Sequence, residues 1–325
     1  MEKQKVKARR SLFDILIDGR IFVVLFILVM VMTIATNKFL MLTNIRNVLR
    51  QISINAIIAI GMSFVITTGN IDLSVGSIVA FASIVAGKLA MANVPLPVVI
   101  LISILAGALV GSINGLIIAH FKIPAFVATL AMQNAIKGAA YLLCEGLPIA
   151  GFNSAYNVLG QGYFLSIPVP VYIMFIVAII AWFVFSKTSF GRHVYFTGGN
   201  EIAARNSGIN VFGIKVAAYT ISGMLAGLGS VILTFRIASA LPENGQGYEG
   251  DAIAATVIGG TAMRGGYSTV YGTLVGALIL GIIENGMNLL GVSEYWQMIV
   301  KGLVILLAVI MDNEVSRIRM EKAKK

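Results

Sequence analysis

The chain is built from apolar runs about as long as a bilayer is thick, separated by short polar stretches. In lipid every backbone N–H and C=O must be satisfied within the protein, so runs of this kind can cross only as helices. A crossing needs roughly 20 apolar residues. The candidates are 21–36, 48–68, 73–91, 96–120, 124–143, 167–185, 214–236, 247–260, 266–290 and 295–311. The eighth is shorter than a full crossing and can either span or re-enter. Only 12% of the 325 residues are charged, against about 25% in a soluble domain. The fold expected is an all-α integral membrane protein of about ten transmembrane helices, with both termini on one side.

Charge gives the orientation. The net charge of +10 would suit a nucleic-acid binder, but no such motif is present. Lys3, Lys5, Lys7, Arg9, Arg10 and Arg20 crowd the beginning, and Arg317, Arg319, Lys322, Lys324 and Lys325 the end. With the termini inside, Lys122, Lys187, Arg192, Arg205, Lys215 and Arg264 also fall on the inner side, as the positive-inside rule requires. Lys38, Arg46, Arg50 and Arg236 fall outside. The organisation expected is a cytoplasmic tail over 1–20, one transmembrane domain over 21–311 and a cytoplasmic tail over 312–325. No small-x-small cleavage site precedes Asn37-Lys38, so the first run reads as a retained anchor. Cys144 is the one cysteine and can form no internal disulfide.

The longest polar interruption is Ser186–Lys215, SKTSFGRHVYFTGGNEIAARNSGINVFGIK, with its working segment at 186–213. Gly198-Gly199-Asn200-Glu201 leads through Ala203, Ala204 and Arg205 to Gly208. Asn suits an N-cap, Glu the positive end of a helix dipole, and Gly the position after the last turn. A helix of about two turns follows, bracketed by glycines. It is marginal in water on its own, so a docking partner on that face is expected.

Polar residues inside the runs are few. Gly69 breaks the second run ahead of Asn70, Asp72 and Ser74; Asp72 or Asn70 either caps the next helix or lines a cavity. In GQGYEGDAIAATVIGGTAMR, Glu249 and Asp251 open the eighth run, as helix-terminal acids or as hydrogen-bond partners for a polar solute. Asn55, Lys88, Lys137, Glu284, Asn288 and Lys301 complete the set. The candidates for a translocation path are Asn55, Asn70, Asp72, Ser74, Asp251, Glu284 and Asn288, with a structural ion pair the stronger reading for Glu284. Gly107/Gly111/Gly115, Gly223/Gly227 and Gly272/Gly276 have the spacing that lets helix backbones approach. Residues from Leu105 (LAGALVGSINGLI) and from Leu274 (LVGALILGIIENG) are loosely alike, a weak hint of duplication. There is no phosphate loop, no H-E-x-x-H and no paired acidic metal motif. No catalytic residue, metal or cofactor is therefore expected, and His120 and His193 read as helix-end residues.

Four stretches carry a resemblance: TGNIDLSVGS, GGNEIAARNSGI, GYEGDAIAATVIGGTAMRGG and YWQMIVKGLVILLAV. In that order they resemble the membrane permeases of ribose-type ABC sugar importers, a family that includes permeases for xylose, arabinose, galactose, allose and a furanose-derived autoinducer. The resemblance runs from about Ile21 to Asp312. It implies a pore of two such chains or a chain and a paralogue, in a bacterial inner membrane. ATP-binding subunits would dock on the cytoplasmic side, and an external sugar-binding protein would deliver a monosaccharide. It also implies that Gly198–Gly208 is a coupling helix touching the ATPase, with ATP bound by that partner alone. Ile202 stands where relatives often have Ala, and its side chain would fit an apolar groove on the ATPase. The rival readings are an H⁺- or Na⁺-coupled secondary transporter, with Asp72 and Glu284 as relays, and a membrane enzyme acting on a lipid-linked substrate.

Overall fold

The computed structural model describes residues 12–323; the basic residues before Leu12 and the last two lysines lie outside them. The helices in chain order are α1 (Leu12–Ala35), α2 (Leu42–Thr67), α3 (Val75–Met91), α4 (Leu96–Phe121), α5 (Ala125–Cys144), α6 (Val158–Gln161), α7 (Val169–Lys187), α8 (Ser189–Gly199), α9 (Glu201–Asn206), α10 (Val211–Ile237), α11 (Tyr248–Ile258), α12 (Val270–Leu289) and α13 (Glu294–Ala323). Two-residue strands supplement them. β1 (Ile149–Ala150) pairs antiparallel with β4 (Ser239–Ala240), and β2 (Tyr163–Phe164) with β3 (Ile167–Pro168).

Among the described residues, six helices are long and apolar enough to cross a membrane: α2, α4, α7, α10, α12 and residues 294–311 of α13. These six are the crossings that length and composition alone support. Ile21–Ala35 and α3 are shorter apolar helices. α5 has the length, but Gln133, Asn134 and Lys137 make it less apolar. α11 has 11 residues, about 16 Å at the helical rise and so about half of a hydrocarbon core. Nor do the helices stop at the expected tails: α1 starts at Leu12, and α13 runs on to Ala323.

α2 is the axis of the bundle. Its second half is mostly apolar on all sides, which suits a helix surrounded by others, and every residue from Ile52 to Thr67 is buried. α10 runs antiparallel beside it, Gly61 facing Ser222 and Gly229 facing Ile58. The glycine ladders are the contacts that close the bundle. Gly107, Gly111 and Gly115 of α4 lie directly on the backbone of α10 at Gly223, Tyr219 and Val216, and Gly272 and Gly276 of α12 lie on Gly259 and Ala255.

Two triplets share one plan. α2 ends at Thr67, a non-helical stretch with turns follows over 68–74, and α3 then starts inside the bundle before α4. α10 ends at Ile237, a non-helical stretch over 238–247 follows, and α11 starts inside the bundle before α12. The triplets run in opposite directions: α3 is parallel to α10, with Ser230 donating to Val79 O and Ser83 meeting Thr234, while Thr256 of α11 donates to Ala59 O of α2. The two loosely similar stretches lie in α4 and α12, corresponding places in an inverted repeat of the kind transporters use. The starts of α3 and α11 meet, Gly76 packing against Gly245 and Glu249.

Candidate functional site

At the meeting of α3 and α11 lies a small polar cleft. Gly76, Ser77 and Ala80 of α3 form one wall, Gln133 and Lys137 of α5 a second, and Pro242, Glu243, Asn244, Gln246 and Glu249 the third. Tyr141 donates to Glu243 Oε1 at 2.7 Å, and Asn244 Nδ2 to Ser83 Oγ at 2.8 Å. Glu249 Oε2 is buried with no hydrogen-bond partner. A carboxylate oxygen in that position is an acceptor waiting for a donor. Glu249 was legible as an acid at the start of the eighth run. Gln133, Lys137 and Tyr141 were not chosen, although their spacing of four puts them on one helical face.

The expected path residues do not gather here. Asp72 is fully buried and holds the restart of α3: Oδ1 accepts from Ser74 N at 3.0 Å and Ser74 Oγ at 2.6 Å. Asn114 donates to Ser74 Oγ at 2.7 Å, Ser222 to Asp72 Oδ2 at 3.5 Å, and Tyr219 to Ile71 O at 3.1 Å. Asp72 thus sits in a packed turn just ahead of α3. Asp251 and Glu284 both face Lys301, at 3.2 and 3.4 Å. They tie α13 to α11 and α12 in a charge triad, the structural pairing favoured for Glu284. Asn288 accepts from Gln297 at 2.8 Å, Asn55 is buried in α2, and Asn70 opens on the opposite side of the break, beside α9.

The second site is the α8–α9 end. The interruption contains two helices where one was expected, because Thr188 Oγ1 caps α8 by accepting from Gly191 N at 3.1 Å. Gly198 and Gly199 close α8. Gly198 lies against Thr67 O, which Gly266 N also reaches at 2.9 Å. A side chain at 198 would push these backbones apart. Asn200 Oδ1 then accepts from Ala203 N at 2.9 Å and caps α9, and Gly208 follows α9 at φ +82°. Glu201 faces its own chain, 3.1 Å from Arg205 and 2.7 Å from Lys215. Ala204 is buried, while Ala203 and Arg205 are exposed and Ile202 is 75% exposed. Between α8 and α9 runs a groove of about 630 Å³ lined by Tyr195, Phe196, Gly199, Asn200, Ala203 and Ser207 among others. Burial pushes the Tyr195 phenol up to about 12, so it stays a donor, bonded to Ser268 O at 2.9 Å.

At the far end of α2, Arg46 and Arg50 stack over the Tyr163 ring at 5.5 and 5.0 Å. Arg50 donates to Gln161 O, and Gln161 donates to Arg236 O, each at 3.0 Å. Leu165 and Ser166 form the tip of the β2–β3 hairpin with φ of +46° and +65°. No carboxylate pairs with these arginines among the described residues.

Residues 44–309 match the family model described as branched-chain amino acid transport system / permease component. The chain is similar to the ribose import permease protein of Haemophilus influenzae, 46% identical over 302 residues covering 92% of this chain and 94% of the relative. It is 43% identical over 319 residues to that of Escherichia coli K12, covering 97% and 99%. With that of Bacillus subtilis it shares 46% over 297 residues, covering 91% and 92%. No solved structure matches the chain.

Proposed function

The chain belongs to the family of branched-chain amino acid transport system permease components, and on that premise we propose that it is the pore-forming permease of an ABC importer for a ribose-like monosaccharide. It resides in a bacterial inner membrane, has both termini in the cytoplasm and works with a second permease copy or a paralogue. Beside the six long helices, α1, α3, α5 and α11 make up the count of ten crossings. The permease itself performs no chemistry. ATP-binding subunits dock at the α8–α9 groove, and binding and hydrolysis there shift the balance between outward- and inward-facing states.

The observation that carries this reading is the similarity of nearly the whole chain to ribose import permeases. The cleft of about 30 Å³ at the starts of α3 and α11 is too small for a whole sugar as it stands. It adds Glu249, Gln133, Lys137 and Asn244 as donors and acceptors that such a solute would meet once the bundle opens there. A neutral sugar is recognised by hydroxyl hydrogen bonds to such groups. The basic hairpin end, on the outer side, suits an acidic face of an external sugar-binding protein. The ion-coupled rival loses its candidates' rationale, since Asp72 is occupied in a turn and Glu284 in a triad with Lys301.

The test is uptake of radiolabelled ribose in cells that express the chain with its ATPase and binding protein. Uptake should survive a protonophore that leaves ATP intact and fail when ATP is depleted. Glu249→Gln and Lys137→Met should cut uptake at least tenfold with the protein still in the membrane. Protonophore-sensitive, ATP-independent uptake would sink the importer reading.

A further inference from the structure

At the α8–α9 end, a cavity of about 300 Å³ opens between the last turn of α4, the first turns of α5 and α10, and the outer side of α9. Lys122, Arg205 and Lys215 converge on it, against the single carboxylate of Glu201. Glu201 is already shared by Arg205 and Lys215, and Lys122 enters no ion pair among the described residues. The cavity therefore holds an excess of positive charge. Concentrating like charges in a recess is costly unless an anion neutralises them. Lys215 is only 13% exposed, so solvent does little of that work.

The surroundings identify the anion. The wall between the charges is apolar, with Ile123 and Phe212 at the rim. The site lies where α4, α5 and α10 leave the bundle, at the level of the inner leaflet in the orientation proposed above. That leaflet carries anionic phospholipids, and recesses of this composition at helix ends hold their headgroups. A guanidinium fork with flanking ammonium groups matches a phosphate. We infer that this cavity is a binding site for a phosphate group, seated there as the headgroup of an inner-leaflet phospholipid. Arg205 and Lys122 grip the phosphate from opposite walls. The lipid thereby fastens α9 to the α4–α5 turn.

This inference does not depend on which solute is carried. Purified full-length protein in neutral detergent would be titrated with dioleoylphosphatidylglycerol, dioleoylphosphatidylcholine or inorganic phosphate. The readouts are bound lipids by native mass spectrometry and the midpoint of thermal unfolding. Phosphatidylglycerol should bind and raise the midpoint, and phosphatidylcholine should not. Lys122→Asn, a residue that tolerates the left-handed backbone there (φ +53°), and Arg205→Gln should each weaken phosphatidylglycerol binding about fivefold while leaving the lipid-free midpoint in place. Lys187→Gln, at the same end but outside the cavity, should bind as wild type. If inorganic phosphate alone gives the full shift, the ligand is a free anion of the same chemistry. Equal response to both lipids, or equal loss in Lys187→Gln, would mean diffuse surface charge and overturn the site.

Discussion

At the scale of single residues, the structure separates glycines that must be glycine from those that need not be. A Cβ at Gly111 would meet the carbonyl of Tyr219 and the Cα of Gly223, which are backbone and cannot swing away. Gly302 of α13 has nothing within 4 Å of where its Cβ would lie. Gly111→Ala should destabilise by about 1–3 kcal/mol through overpacking, whereas Gly302→Ala should be neutral or slightly stabilising through helix propensity. Thermal unfolding of both variants in one detergent checks the contrast, and equal midpoints would refute it. The spacing of these glycines was readable in the chain, but their partners were not. The same holds for the charges. Asp251 and Glu284 were visible as intramembrane acids, but their shared Lys301 lies elsewhere in sequence and is brought in only by the packing of α13. Gln133 and Tyr141 go unremarked inside the 124–143 run and Lys137 reads there only as an intramembrane charge, although their spacing of four puts all three on one helical face.

At the scale of elements, α9 is held by its own chain as much as it is offered to a partner. Asn200 caps it, Ala204 is buried, and Glu201 ties it to the first turn of α10 through Lys215. Glu201→Arg would place a third cation beside Arg205 and Lys215 and release the helix from its seat. ATP-driven uptake should be lost while membrane insertion is unchanged. The double variant Glu201→Lys with Lys215→Glu should regain a substantial part of it, because the pair is restored in reverse. No recovery would place Glu201 in direct contact with the ATPase instead. Ile202, on the open face, should tolerate Ala and fail as Asp, read out by co-purification of the ATPase. Nothing in the chain announces α8, whose glycines and β-branched residues disguise an amphipathic helix, whereas α9 is announced by its cap and its alanines.

At the scale of the whole molecule, the proposed orientation puts the two ends of the bundle on opposite sides of the membrane, and the single cysteine makes them easy to tell apart. Cys144 is buried, so background labelling should be low. Ser166→Cys, at the hairpin tip beside Arg46 and Arg50, should react with an impermeant maleimide in intact spheroplasts. Ser207→Cys, beside the α8–α9 groove, should react only after the membrane is opened. Reversal of that pattern would invert the orientation and with it the assignment of every surface. Hydropathy conveyed the membrane class and most helix positions. It did not show that the stretches ahead of α3 and α11 are non-helical turns inside the bundle, because such backbone has no signature of its own in a hydropathy profile.

Those non-helical breaks bear on how the protein is made. Residues 68–74 are synthesised early, yet Tyr219 and Ser222, which satisfy Ile71 O and Asp72, come from α10 much later in the chain. Until α10 arrives, the Asp72 carboxylate has Ser74 as a partner but lacks Ser222. A ribosome delivering this chain into the bilayer must therefore shelter an unfinished polar break for more than a hundred residues of synthesis. Membrane insertases and quality-control proteases that survey exposed polar groups in lipid would meet the nascent chain at that place.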